Sequence, residues 1–217
     1  MPKKCKKILS TRAGRAARAR QLLAALQKLY SQPRMALRFN NTWEMLVAVM
    51  LSAQTTDKQV NVVTAHLFRK YLRLADYASA QPSGLARDIR RIGLWRGKAR
   101  NIVATARIVQ AKHGGRVPQT MDELTALPGV GRKTANIILS NAYGKNEGIA
   151  VDTHVTRLSR LFGLTRAADP VKIEQDLVRV VPRREWGNIT HRLILYGREY
   201  CPARCRHADC PLRRFIV

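Results

Sequence analysis

Apolar residues recur at every third or fourth position along most of this chain of 217 residues. That spacing places them on one face of an α-helix, whereas a half-buried strand would show strict alternation. We therefore predict an all-α fold with helices over residues 12–31, 42–54, 56–71, 84–91, 97–113, 121–126, 132–143, 153–162, 170–181 and 184–199. Proline, glycine and asparagine fall between these segments, where they end helices.

A tight turn precedes one of these helices. Residues 127–133 read Leu-Pro-Gly-Val-Gly-Arg-Lys, with Gly129 and Gly131 in a Gly-x-Gly spacing that permits positive φ. A glycine turn that opens a helix points backbone N–H groups outward, and these groups with the helix dipole form a phosphate site. Lys133 would lie at the positive end of that dipole beside Arg132, which favours the neutral amine that a nucleophile requires.

The charge balance indicates a polyanionic partner. The chain has 40 Lys and Arg against 14 Asp and Glu, a net charge of +26 at pH 7. Such an excess destabilises a compact chain by self-repulsion unless a polyanion is nearby. RNA, a membrane surface or adaptation to salt would also fit the charge, but the turn favours duplex DNA. A basic N-terminal arm should add affinity for DNA through Lys3, Lys4, Lys6, Lys7, Arg12, Arg15, Arg18 and Arg20.

Other features of the sequence bear on the compartment. No run of about 18 apolar residues predicts a membrane span, and no signal-peptide core follows the basic N-terminus. Residues 12–20 also have the composition of a mitochondrial transit peptide, but the leucines that follow continue a helical stripe. Three cysteines cluster within residues 201–210, which is typical of a metal site in a reducing compartment. We expect a cytoplasmic, nucleoid-associated monomer.

Several motifs together resemble the helix-hairpin-helix DNA glycosylases. They are the turn at 127–133, Leu-Ser-Ala-Gln-Thr-Thr-Asp at 51–57, Ile-Gly-Leu-Trp at 92–95, Val-Asp-Thr-His at 151–154 and Leu-Tyr-Gly-Arg at 195–198. The chain is most similar to the bifunctional base-excision enzymes for oxidised pyrimidines. The resemblance implies two helical lobes with a DNA-binding groove between them. Residues 35–146 would form a barrel of six helices that contains the hairpin, and residues 1–34 with 147–217 the second lobe.

The resemblance assigns the chemistry to Lys133 and Asp152, which are 152 − 133 = 19 positions apart. The amine would attack the sugar C1′, expel the base and leave a Schiff base, after which β-elimination cleaves the strand. The carboxylate would stabilise the oxocarbenium-like sugar and help to deprotonate the lysine. From the residues alone, Lys133 could instead be a phosphate-binding or solvated lysine, and Asp152 an ordinary N-cap.

Two other functions share these features. One is a monofunctional adenine or alkylation glycosylase of the same fold, and the other is a non-catalytic DNA-binding protein. The pairing of Lys133 with Asp152 favours the bifunctional glycosylase, because monofunctional members generally lack the lysine and DNA binding alone needs neither residue.

Excision requires the damaged base to leave the stack, and a side chain must fill the vacated space. By resemblance, Gln54 is the void-filling glutamine and Leu94 the wedge leucine. Leu94 could instead be a core leucine beside Trp95, and Gln54 a helix cap. The other predicted DNA contacts are Gly129, Val130, Gly131, Arg132, Thr134, Lys98 and His154. The histidine fits a packing role as well as a phosphate contact.

The C-terminal cysteines depart from the family pattern. That pattern is C-x6-C-x2-C-x5-C, with four thiolates around a [4Fe–4S] cluster. Here the spacing is C-x3-C-x4-C, with the three ligands Cys201, Cys205 and Cys210. Ile216 stands where the last ligand would be, although His207 or Cys5 could complete the set. We expect an empty site, then an altered iron–sulfur site, then a Cys3His zinc site, in that order, and no cofactor for the chemistry.

Overall fold

The computed structural model describes residues 11–217, and this part of the chain is helical. The helices are α1 (Arg12–Leu29), α2 (Thr42–Ser52), α3 (Asp57–Lys70), α4 (Leu74–Ser79), α5 (Pro82–Asp88), α6 (Trp95–Lys112), α7 (Met121–Thr125), α8 (Arg132–Tyr143), α9 (Thr153–Leu161), α10 (Pro170–Val178) and α11 (Trp186–Glu199). Short 3-10 segments lie at Arg183–Glu185 and Arg213–Phe215. Residues 11–217 contain no strand, so the predicted all-α class is confirmed. Cys5 and the lysines of the N-terminal arm lie outside the described residues.

Capping side chains explain where most of the longer helices begin. Asn41 accepts a hydrogen bond from the Glu44 N–H at the start of α2. Thr56 and Asp169 cap α3 and α10 in the same way. Each such oxygen satisfies one of the N–H groups that a helix leaves without an internal partner.

The structure differs from the predicted helices in one missed helix and in several helix ends. The sequence analysis missed α4, whose N-cap position is Arg73 and not one of the Ser, Thr, Asp or Asn residues that signal a helix start. α5 begins at Pro82, two residues earlier than predicted, since proline suits the first helical turn. The segment predicted from residue 184 is first a 3-10 turn, and α11 begins at Trp186.

The chain divides into two compact units. One is Met35–Lys145, and the other joins Met1–Arg34 to Asn146–Val217. The first unit surrounds α2, whose residues from Trp43 to Leu51 are all buried. α6 packs against both α4 and α5, and α8 packs against α2. The hairpin and the loops that carry the predicted wedge residues therefore lie around one apolar core.

The second unit joins the N-terminal helix to the C-terminal third of the chain. Leu22 and Leu26 of α1 are fully buried in its core. The Arg18 guanidinium donates to the carbonyls of Phe162 at 2.7 Å and Phe215 at 2.6 Å. This corrects the prediction for Arg18, because its hydrogen bonds hold the fold together and do not face DNA. None of the described helices is long and apolar enough to span a membrane.

Candidate active site and metal centre

The two hairpin positions, 129 and 131, hold glycine for different physical reasons. Gly129 has φ +78°, and a Cβ there would lie 2.6 Å from Asn101 Nδ2, so the fold requires glycine. Gly131 has φ −93°, and nothing lies within 4 Å of a Cβ built on it. Of the two, only Gly129 uses the positive φ that the Gly-x-Gly spacing permits. The fold leaves room for a side chain at position 131. The absence of one therefore matters for the outer surface of the turn and not for its packing.

The N-terminus of α8 has the chemical features of an anion-binding site. Gly131 is its N-cap and has no side chain to accept from the first-turn N–H groups. Arg132 and Lys133 are exposed in that turn, and Thr134 is half-buried. The partial positive charge of a helix N-terminus, with two cationic side chains beside it, can bind a phosphate.

Val130 does not contribute to that surface. Its side chain is buried in the core, and its N–H donates to the Leu127 carbonyl at 3.1 Å. The predicted DNA contact at Val130 is therefore corrected, because neither its side chain nor its donor is available to a phosphate. Val130 instead anchors the turn, together with Thr105 of α6, whose hydroxyl donates to the Pro128 carbonyl at 3.0 Å.

The predicted wedge residues share an uncommon backbone conformation. Gln54 has φ +56° and Leu94 φ +57°, in the left-handed region that costs a non-glycine residue roughly 1–2 kcal/mol. Both side chains are exposed, Leu94 to 65%. Leu94 is therefore not a core leucine, while Gln54 follows the α2 C-cap Ala53 in the left-handed conformation with which many helices end. Such strain is characteristic of functional positions.

Two contacts join the loops that carry these residues. The Gly93 N–H donates to Thr55 Oγ1 at 3.2 Å. A Cβ on Gly93 would lie 3.1 Å from the Gln54 carbonyl oxygen, which is tighter than ordinary van der Waals contact. The two loops therefore adjoin, and Gln54 and Leu94 project from one edge of this unit.

Lys98, a predicted DNA contact, lies against the end of α2. Only 8% of it is exposed, and its ammonium donates to the carbonyls of Leu51 at 2.8 Å and Ala53 at 2.5 Å. Burial lowers the pKa of Lys98. Two of the three N–H donors of the ammonium are therefore used within the fold, where Lys98 holds the end of α2, and with it the Gln54 loop, in place.

Asp152 begins α9 in the second unit. Its carboxylate accepts from the Val155 N–H at 2.8 Å, so the N-cap interpretation is correct and its orientation is fixed. Thr190 of α11 donates to the Ala150 carbonyl at 2.9 Å and supports the segment before it. Burial lowers the pKa of the neighbouring His191, and the Asp152 carboxylate partly raises it.

His154 lies on the packed side of α9. It is half-buried, and a Cβ on Gly197 of α11 would collide with its Nδ1. The structure therefore gives His154 the packing role that the sequence analysis left open. Gly197 is required at this point because the two helices approach too closely for any side chain there.

The predicted metal ligands converge in the second unit. The ligand atoms of Cys201, Cys205, His207 and Cys210 all lie within 4.8 Å of one another. Cys201 and Cys210 are buried, while Cys205 and His207 are half-buried. The group can therefore hold a metal ion.

A [4Fe–4S] cluster fits this group poorly. Such a cluster takes four thiolates, each bound to a different iron, so its ligand atoms stand apart by more than the cube they enclose. Here there are three thiols, and all four ligand atoms lie within 4.8 Å. The fourth position of the family pattern is Ile216, which packs against the core of this unit.

Sequence reasoning missed the residues that position the site. Asn101 and Thr105 hold the hairpin, and Thr190 and His191 lie beside Asp152. Each acts on a partner at least 23 positions away in the sequence, as from Thr105 to Pro128. No local pattern marks such residues, because they are ordinary helix residues until the fold brings their partners near.

Comparison with known proteins agrees with this geometry. Residues 47–183 match the HhH-GPD superfamily of base excision DNA repair proteins. Endonuclease III of Synechocystis is 42% identical over 197 residues, which cover 91% of this chain and 90% of that protein. Endonuclease III of Bacillus subtilis is 49% identical over 175 residues, which cover 80% of each chain. A structure of a trapped endonuclease III–DNA covalent intermediate superposes with a TM-score of 0.87 at 42% identity, and covers 93% of this chain and 95% of that one.

The chain belongs to the HhH-GPD superfamily of base excision DNA repair proteins. Within it, the relatives reported above are endonuclease III enzymes. The family predicted from the sequence motifs is confirmed, as is the predicted enzyme class, a DNA glycosylase with AP-lyase activity.

Proposed function

We propose that this enzyme excises oxidised or ring-damaged pyrimidines from duplex DNA and then cleaves the strand at the abasic site, with Lys133 as the nucleophile. The single observation that carries the assignment is the exposed Lys133 in the first turn of a helix whose cap, Gly131, is bare. Backbone N–H groups and the helix dipole would bind a phosphate beside the lysine. The amine would then lie close to the deoxyribose attached to that phosphate.

Asp152 supplies the second part of the proposed mechanism. Its Val155 hydrogen bond keeps the carboxylate in one orientation. An oriented negative charge stabilises the positive charge that develops on the sugar as the base leaves. Deprotonation of Lys133 for its attack on C1′ is the further role that the family resemblance implies for this carboxylate.

Gln54 and Leu94 complete the proposal by keeping the damaged base out of the stack. Flipping a base costs a few kcal/mol, and a side chain inserted in its place offsets part of that cost. The two residues are exposed on adjoining loops held by Thr55 and Gly93. A rigid, projecting leucine suits insertion better than a mobile one, since less entropy is lost on binding.

The remaining proposals concern partners and location. Double-stranded DNA with damaged bases or abasic sites is the substrate, and the net charge of +26 matches this polyanion. We propose a monomer that acts on the nucleoid in the cytoplasm. The chemistry assigned to Lys133 and Asp152 requires no cofactor, so the metal group serves the structure of its unit and not the reaction.

Borohydride trapping on an abasic-site duplex tests the function directly, because it reduces the imine to a stable protein–DNA adduct. Wild-type enzyme should form the adduct, and Lys133→Gln should abolish it while duplex binding persists, since one of many phosphate contacts is lost. Lys112→Gln, which removes an exposed lysine of α6, is the matched control and should trap normally. Undiminished strand cleavage by Lys133→Gln would remove this lysine from the mechanism. Base excision by the wild type without trapping would instead indicate a monofunctional glycosylase.

A further inference from the structure

We propose that Cys201, Cys205, His207 and Cys210 bind one Zn²⁺ ion as a tetrahedral Cys3His site, in place of the iron–sulfur cluster that the family pattern implies. The inference concerns a structural centre and stands apart from the catalytic assignment. The sequence analysis ranked zinc last among the three states. The arrangement of the ligand atoms reverses that order.

Distances within the group match a single ion. Around one zinc, with Zn–S near 2.3 Å and Zn–N near 2.0–2.1 Å, tetrahedral ligand atoms lie about 3.5–3.8 Å apart. Cys201 Sγ lies 3.5 Å from His207 Nδ1, and Cys210 Sγ lies 3.8 Å from the same nitrogen. Cys205 Sγ and Cys210 Sγ are 3.3 Å apart, closer than two thiolates on one zinc, and would separate slightly on binding it. A four-iron cube cannot enter a group of this size without moving every ligand outward.

The donor set also favours zinc. Three thiolates and one imidazole form one of the common structural zinc sets, and zinc accepts this mixture without a preferred electronic geometry. His207 has φ +60°, a strained conformation for a non-glycine residue. That conformation points its Nδ1 toward Cys201 and Cys210. Ligation to a metal offsets the cost of holding it there.

The surroundings supply the contacts that thiolate ligands need. The backbone N–H of His207 donates to Cys205 Sγ at 3.3 Å, and Arg157 Nη1 donates to Cys201 Sγ at 3.5 Å. Three thiolates on one Zn²⁺ leave a net charge of −1, which the Arg157 guanidinium balances. Such outer contacts orient ligands and raise metal affinity.

The chain beyond Cys210 is held without a fourth cysteine. Leu212 and Phe215 are buried, and the Leu212 N–H donates to the Tyr196 hydroxyl at 3.2 Å. The Val217 N–H donates to the Leu161 carbonyl at 3.0 Å. Apolar packing and hydrogen bonds therefore fix the tail where the family pattern uses a metal bond, so the metal needs to organise only residues 201–210.

Metal reconstitution of the full-length chain tests the proposal. Metal-free protein, prepared anaerobically with reductant and chelator, is supplied with Co²⁺ alone, with Zn²⁺ alone, or with Fe³⁺, sulfide and a thiol reductant. We expect one Co²⁺ per chain, with thiolate-to-cobalt charge-transfer absorption and the intense ligand-field bands of a tetrahedral ion, and displacement of Co²⁺ by Zn²⁺. Iron and sulfide should leave no stable cluster. About four irons and four sulfides per chain, or the absence of cobalt–thiolate absorption, would overturn the assignment.

Ligand variants identify the fourth donor. His207→Ala should weaken Zn²⁺ binding by more than the roughly 10–100-fold that loss of an outer-shell contact costs. His207→Cys should keep one Zn²⁺ and strengthen the cobalt charge-transfer absorption, because a fourth thiolate joins the ion. Cys5→Ser, at the cysteine outside the group, is the matched control and should bind Zn²⁺ as the wild type does. If Cys5→Ser loses the metal while His207→Ala keeps it, His207 is not the ligand. X-ray absorption at zinc in the wild type, with one nitrogen and three sulfur neighbours expected, decides the matter should His207→Ala fail to fold.

Discussion

Asp152 illustrates how one side chain fills a structural and a chemical role at once. The hydrogen bond from the Val155 N–H requires an acceptor oxygen, which asparagine also provides, but the proposed stabilisation of a cationic sugar requires a negative charge. The two roles therefore separate in a substitution that keeps the oxygen and removes the charge.

Asp152→Asn should fold with the stability of the wild type and slow base excision by orders of magnitude. Asn and Asp cap helices about equally well, so the free energy of unfolding should change little. Asp169→Asn is the control, since Asp169 caps α10 through the Lys172 N–H at 3.0 Å in the same unit. It should leave both quantities unchanged. Urea unfolding and single-turnover excision measure the two effects, and excision within a few-fold of wild type would reduce Asp152 to a cap.

At the level of the helix, the first turns differ in how their N–H groups are satisfied. α1, α2, α3, α7, α9 and α10 each begin with a side-chain cap. α6 and α8 begin instead at Leu94 and Gly131 without a side-chain cap, as do α5 and α11 at Gln81 and Glu185. The starts of α6 and α8 are the proposed wedge and the proposed phosphate site. A helix start without a side-chain cap is compatible with a ligand there but does not by itself identify one.

The left-handed conformation at Leu94 gives a test of function against stability. Leu94→Ala and Leu94→Gly both delete the wedge and should reduce excision of a paired damaged base equally. Both should cleave a pre-formed abasic site more nearly like the wild type, because less stacking must be broken there. Glycine alone relieves the positive φ of 57°, so Leu94→Gly should be about 1 kcal/mol more stable than Leu94→Ala. Equal losses on both DNA substrates would indicate a folding defect and not a wedge.

At the scale of the whole molecule, the charge of +26 is a property of the surface and not of the site. Some of the basic side chains have a structural role. Arg18 and the buried Arg192 donate hydrogen bonds within the second unit, and those of Arg192 go to Glu185 and to the Tyr30 carbonyl. Exposed basic side chains such as Lys133 can contribute the salt-dependent affinity for DNA that accompanies phosphate neutralisation.

Deletion of residues 1–10, which removes Lys3, Lys4, Lys6 and Lys7, should weaken DNA binding without changing selectivity. Each lost phosphate contact should flatten the slope of log K against log salt by about 0.9. Binding to damaged and undamaged duplexes across a salt series measures both quantities. An unchanged slope would show that this segment does not contact DNA, and a changed preference for damage would give it a role in recognition.

The sequence by itself determined the helices, the hairpin and the candidate catalytic residues. Helical periods, caps and glycine turns depend on residues within a few positions of one another, so they can be recognised from the sequence alone. The N-cap at Asp152 and the exposed lysine after Gly131 follow from such local rules. The short helix α4 was missed because its N-cap position, Arg73, is not a residue that signals a helix start.

Only the tertiary structure decided what the side chains at these places can reach. Lys98 binds carbonyls 47 and 45 residues earlier, and Thr105 binds the hairpin from α6. The four ligands of the metal group can be recognised in the sequence. The distances of up to 4.8 Å between their ligand atoms, on which the proposal of one ion depends, cannot. Distances between residues far apart in the chain, or across an irregular loop, depend on how the whole core packs, and a sequence pattern carries no measure of them.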